Sequence, residues 1–147
     1  MIVTRKININ TNASDNELYV SVVNITPQVQ KQAAEIYITN GIVTLFMAAT
    51  TAAITTIEFE TGLISDFQKM WSRLVPKANM VYEHRFQWEE NNGYSHVRAS
   101  LLGPSLVVPL VGKRLTLGQY QQIVLVEFDN RPRSRQVILQ FMGESAE

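Results

Sequence analysis

Residues 42–47, from Ile42 to Met47, form an apolar run of strand length, too short for a core helix and without a clear two-residue alternation. Such a run predicts a strand covered on both faces, so the chain must supply a layer on either side of it. The next stretch is different. Over residues 48–53 small side chains and two adjacent hydroxyls, Thr50 and Thr51, stand where a core strand wants bulk. Small residues allow another backbone or a ligand to approach closely.

The rest of the chain supplies the layers. Residues 2–9 alternate β-branched and polar side chains, and residues 18–25 resume that pattern after an Asn- and Ser-rich turn, which predicts an N-terminal hairpin. Thr26 and Pro27 mark a helix start, with the Thr26 hydroxyl placed to accept from an early amide. Val29, Ala33, Ile36 and Tyr37 fall on one face, and Asn40 with Gly41 supplies the stop. Residues 54–59 read as a strand. After Gly62 a second amphipathic helix carries Leu63, Phe67, Met70, Trp71 and Leu74 as its apolar stripe and stops before Pro76. Residues 95–102 predict a short third helix capped by Ser95 and ended by Gly103, with His96 and Ser100 one turn apart on a shared face.

The last third returns to strands. Residues 106–110 and 114–117 flank one turn, and 123–128 and 136–142 flank a second, which predicts two hairpins. Strands therefore dominate, and the expected class is α+β: an antiparallel β-sandwich-like body with two or three helices packed on it. At 147 residues one domain spanning 1–147 accounts for the chain.

Composition excludes several function classes. Thirteen basic and thirteen acidic side chains cancel, so no global field draws in nucleic acid or an anionic membrane, and neither is an expected partner. The absence of cysteine removes disulfide scaffolds, thiolate metal sites and Cys nucleophiles. No Gly-rich phosphate loop and no Gly-x-Ser-x-Gly elbow is present. The N-terminus lacks the pattern of a signal peptide, and the expected location is the cytoplasm.

Chemistry near neutral pH would start from the two histidines, His84 and His96, which lie within one segment, residues 82–103, rich in carboxylates, amides and hydroxyls. Other polar groups that break their local pattern are Thr50, Thr51, Glu58, Asn92, Gln121 and Glu127. Arg98, Arg133 and Arg135 could offer planar forks to phosphate, or serve as surface or subunit contacts.

In order along the chain, these groups resemble the YjbQ family, also called the secondary thiamine-phosphate synthase family. The resemblance is carried by Thr50 to Ile54, Glu58, Gly62, Leu63, Asp66, Tyr82 to His84, Asn92, His96 to Ser105, Leu117 to Gln121, Glu127 to Asp129, Arg133 and Arg135. It implies a compact sandwich-like fold assembled as a homotrimer, with the polar site near the histidines. For some members it implies the joining of a pyrimidine diphosphate to a thiazole phosphate, which gives thiamine monophosphate, or work on a related phosphorylated metabolite. On that reading Glu58, His84 and His96 are catalytic. Thr50, Thr51, Asn92, Gln121 and Arg133 bind substrate, and His84 and His96 hold a divalent metal. The metal is either zinc-like at the histidines or magnesium accompanying the diphosphate.

One departure stands out. The family pattern places a histidine before the paired threonines, and this chain has Ala49. Two imidazoles then remain of a three-histidine cluster. The alternative expectation is accordingly a non-catalytic trimeric binding or structural protein whose metal site has degraded.

Overall fold

A computed structural model of the chain describes residues 1–88 and 90–145, with all their side chains except those of Phe86 and Trp88. It has two antiparallel sheets. In the five-stranded sheet the order is β1 (Ile2–Asn10), β8 (Ser134–Glu144), β3 (Asn40–Met47), β5 (Ser105–Val111) and β6 (Arg114–Leu115). The three-stranded sheet runs β2 (Ser21–Asn24), β7 (Gln121–Glu127), β4 (Ala52–Glu58).

Alternating side chains from both sheets meet in the main core. Val43, Leu45, Leu139 and Phe141 face Ile54, Ile123 and Leu125, and Val29 and Ala33 of α1 (Thr26–Glu35) join them. The opposite face of the three-stranded sheet carries a second core. There Ala53, Val124 and Val126 pack against Trp71 of α2 (Thr61–Leu74), Tyr94 and Ala99 of α4 (Gly93–Leu102), and Phe128. The class is α+β, as the sequence predicts, with three helices of ten residues or more and one five-residue helix, α3 (His84–Trp88).

Two faces buried at once belong to β7, not to β3. Ile123, Val124, Leu125 and Val126 are all buried, each fully buried aliphatic contributing about 1.5–3 kcal/mol. Phe46 of β3 is 44% exposed, because among the described residues none forms a layer over the outer face of the five-stranded sheet.

Strand partners differ most from the local expectation. β1 pairs with β8 along its whole length, Ile2 opposite Met142 to Asn10 opposite Ser134, whereas β2 pairs with β7 in the other sheet. β1 and β2 therefore form no hairpin among the described residues, and β7 and β8 likewise lie in different sheets. The β5–β6 hairpin is present and short, joined through Gly112 at φ +58° and Lys113 at φ +65°.

The helix ends also shift. α1 stops at Glu35, and the chain runs extended through buried Ile36 and Ile38 with Tyr37 80% exposed between them. The Thr26 hydroxyl accepts from the Ile123 amide, tying α1 to β7 and not to its own first turn. In α2 the Glu60 carboxylate caps the Gly62 and Leu63 amides, and Trp71 is buried while Met70 and Leu74 are exposed. Asn92, not Ser95, occupies the N-cap of α4; the Ser95 hydroxyl donates to the Asn92 carbonyl, and Gly103 at φ +105° ends the helix. Within the 82–103 segment residues 84–88 are helical, and Glu89 lies outside the described residues.

Candidate functional site

The two histidines meet because α3 and the start of α4 are pressed together. A Cβ at Gly93 would stand 2.5 Å from Tyr82 Cβ and 3.3 Å from His84 Cβ, so only glycine lets the segment carrying His84 lie this close. His96 comes from the first turn of the same helix. The imidazole centroids are 4.4 Å apart with planes tilted by 47°.

His84 Nε2 is buried without a hydrogen-bond partner among the described residues, and Glu90 Oε2 is 3.6 Å away. Burial, and after it the adjacent His84, lower the pKa of His96 from its ordinary value, which favours a neutral ring with a free lone pair. His96 opens onto a pocket of about 360 Å³ lined by Ala49, Thr50, Ala52, Ala99, Ser100 and Pro104. Its shared face with Ser100 is thus the face that lines the pocket, and position 49 stands in the same wall.

Behind the histidines a charged cluster clips the two sheets together. Arg135 of β8 grips Glu127 of β7 through both oxygens, Nε to Oε2 at 2.7 Å and Nη2 to Oε1 at 2.6 Å. Its Nη2 also donates to Thr51 Oγ1 at 2.6 Å, and Thr11 Oγ1 donates to Glu127 Oε2 at 2.8 Å. Asp129 receives Arg133 Nε at 2.8 Å and Asn92 Nδ2 at 3.2 Å. Burial pushes the Asp129 carboxyl up, but the hydrogen bonds from Asn92, Arg133 and the Asn130 amide, with the Arg133 charge, hold it below its ordinary value.

The sequence-predicted residues therefore divide. His84 touches His96, and Thr50 shares the pocket wall with His96, whereas Asn92, Thr51 and Arg133 are engaged with Asp129 and Thr51 also with Arg135. Glu58 and Gln121 sit opposite each other at the far end of β4, about 20 Å of strand from Ala52. Gln121 is occupied there, donating to Thr56 Oγ1 and accepting from the Gly118 amide. Within one chain neither joins the histidines.

Arg98 leaves the candidate list for phosphate altogether. It is fully buried, donates to the Val75 and Trp71 carbonyls, and lies against the rings of Tyr94 and Phe128. The sequence reading missed Glu90 and Gly93. The adjacent Asn91, Asn92 and Gly93, a turn signature just before a helix, was the available signal for the close approach.

A two-sheet sandwich with α2 and α4 packed on the outer face of the smaller sheet, and a histidine of α3 in contact with one from the first turn of α4, defines an α+β sandwich protein. A profile described as "UPF0047 protein YjbQ-like" matches residues 6–144, and the chain belongs to that family. A UPF0047 protein of Archaeoglobus fulgidus is 35% identical over 120 residues, covering 82% of this chain and 90% of its own length. One from Methanothermobacter thermautotrophicus is also 35% identical, over 85% of each chain. Among solved structures, a YbjQ-like protein of unknown function from Sulfolobus solfataricus superposes with a TM-score of 0.84 at 28% identity, over 98% of this chain and all of that one.

Proposed function

We propose that this chain acts on a phosphorylated small molecule at the His84–His96 pair, and that its reaction joins a pyrimidine diphosphate to a thiazole phosphate with release of diphosphate. One observation carries the reading: two imidazoles in contact beside an open pocket, one of them with a buried, unpartnered Nε2. A buried polar nitrogen without a partner calls for an explanation, and beside an open pocket a ligand supplies one. The reaction itself is taken from the family resemblance.

In this account His96, held neutral, accepts a proton or a ligand contact from the pocket side, and His84 Nε2 supplies the second nitrogen. Thr50 offers its exposed hydroxyl from the pocket wall. Arg133, a third exposed and paired with Asp129, keeps a surface open to phosphate oxygens. A divalent ion would be held by His84 and His96 and would supply positive charge to the departing oxygens. Among the described residues no third His, Asp or Glu converges with them as a ligand set, so the donors fit an exchangeable ion arriving with phosphate and not a closed zinc site. Glu58 and Gln121 enter the site only from a neighbouring copy. A cytoplasmic homotrimer would provide one, and the uncovered outer face of the five-stranded sheet, with Phe46, Val107 and Met142 exposed, is apolar enough to be buried by self-association.

The test is direct synthesis. Purified protein with both precursors and magnesium should form thiamine monophosphate, and His84→Ala or His96→Ala should each lower the rate about 10²-fold or more. No product from the parent chain sinks this reaction. Product regained only in Ala49→His would favour the non-catalytic reading, in which the alanine beside His96 has removed the chemistry.

A further inference from the structure

We propose that Tyr82 is the positioning residue of the histidine pair, its hydroxyl setting how closely His84 approaches His96. The proposal rests on the reading that this pair is the ligand site. The chain leaves α2 at Val75, bends through residues 77–80 and returns to start α3 at His84. α4 holds both ends of that segment. Arg98, fully buried, donates to the Val75 carbonyl at 2.8 Å, and at the other end Gly93 receives the root of Tyr82 and the Cβ of His84. Between the two ends the Tyr82 hydroxyl reaches back and donates to the carbonyl of Pro76, the residue after Val75.

That bond closes the segment on itself. The bend is fastened separately: the Glu17 carboxylate accepts from the Lys77 and Ala78 amides, and the Lys77 ammonium donates to the Tyr19 carbonyl at 2.7 Å. Both of these ties lie at residues 77 and 78, short of the return arm, residues 81–84. Tyr82 gives that arm its fixed point. Its carbonyl accepts the Arg85 amide in the first turn of α3, at 3.4 Å, so the place of Tyr82 decides where α3 begins. The ring is rigid, and with its root on Gly93 and its hydroxyl on Pro76 it sets the span between the end of α2 and His84. Phenylalanine would fill the same partly buried place against the second core, so packing alone does not call for the hydroxyl. Two imidazoles that share one ligand do call for a fixed separation.

The test reads the ring contact itself, as the NOE between the protons of the two imidazoles in the full-length chain. The parent chain should give this NOE. Tyr82→Phe should lose it while the amide signals of the sheets and of α2 stay in place, since a single hydrogen bond adds little to global stability. 4-Aminophenylalanine in place of Tyr82 returns a donor to the same point of the ring and should restore the NOE. An NOE absent from the parent, one retained in Tyr82→Phe, one that 4-aminophenylalanine fails to restore, or a loss accompanied by displaced amide signals throughout the second core would each overturn the proposal. Titration with diphosphate and magnesium separates this inference from the ligand reading, the dissociation constant being expected to rise about tenfold in Tyr82→Phe. No response in a parent chain that shows the NOE would sink the ligand reading alone, and a response that Tyr82→Phe leaves undiminished would sink this inference alone.

Discussion

Arg135→Ala should destabilise the protein by about 3–5 kcal/mol, read as a lowered urea midpoint at neutral pH. The side chain of Glu127 is fully buried and that of Arg135 is 11% exposed, so the pair is shielded from water and salt. Removing the guanidinium leaves the carboxylate with only the Thr11 hydroxyl and the Asp129 amide, neither of which carries charge. The same guanidinium also donates to Thr51, so the β4 end beside the histidines loses an anchor. Arg135→Met combined with Glu127→Leu should recover much of the loss, since an apolar pair leaves no buried charge behind. A loss below about 1 kcal/mol, the value of an exposed pair, would show that this cluster does not clip the sheets.

Acid probes the same cluster through Asp129. Its folded pKa lies below the ordinary carboxylate value, so its contribution is fully present above that value and is lost as pH falls through the depressed one. The stability gap between the parent chain and Asp129→Asn should therefore be constant near neutrality and narrow below about pH 4. A gap that is unchanged at acid pH would contradict the assignment.

The second large effect belongs to Arg98→Ala, with an expected loss of about 3–5 kcal/mol. This guanidinium has no carboxylate partner among the described contacts. It is held by the Val75 carbonyl at 2.8 Å and the Trp71 carbonyl at 3.3 Å, at the C-terminal end of α2, and by two aromatic faces. Truncation opens a cavity in the second core and leaves the Val75 carbonyl at the helix end short of a donor. Amide exchange should rise first at the C-terminal turn of α2 and in α4. A fully folded, equally stable variant would return Arg98 to the list of candidate phosphate ligands.

What the residues displayed locally was recovered well, and what depended on distant partners was not. The extent of α2 follows closely from its apolar spacing and Pro76, within a few residues of one another, whereas the Glu60 cap that fixes its start was not read. The pairing of β1 with β8 joins chain segments more than a hundred residues apart, and nothing in either strand names its partner. Both mistaken hairpins came from assuming that neighbours in sequence pair. The apolar run at β3 misled about cover, whereas the equally continuous Ile123 to Val126 belonged to the strand that is buried on both faces.

The site was legible as a set of residue types but not as an arrangement. His84 and His96, twelve positions apart, could be nominated, yet their contact depends on Gly93 packing against Tyr82. Thr51 looked like a ligand contact and is instead committed to Arg135 and Asp129. Glu58 and Gln121 shared a pattern with the histidines in sequence and lie at the opposite end of β4 in space.

The central claim is that the two imidazoles form one ligand site, and a chain with only two histidines allows it to be tested without labels at specific positions. The measurement is a proton NMR titration of the two imidazole C2–H signals with diphosphate and magnesium at neutral pH. Both signals should shift together, with one common dissociation constant, and both responses should vanish in Gly93→Ala, where the close approach is lost. Shifts in neither signal, or in one alone with the other fixed, would contradict a shared site.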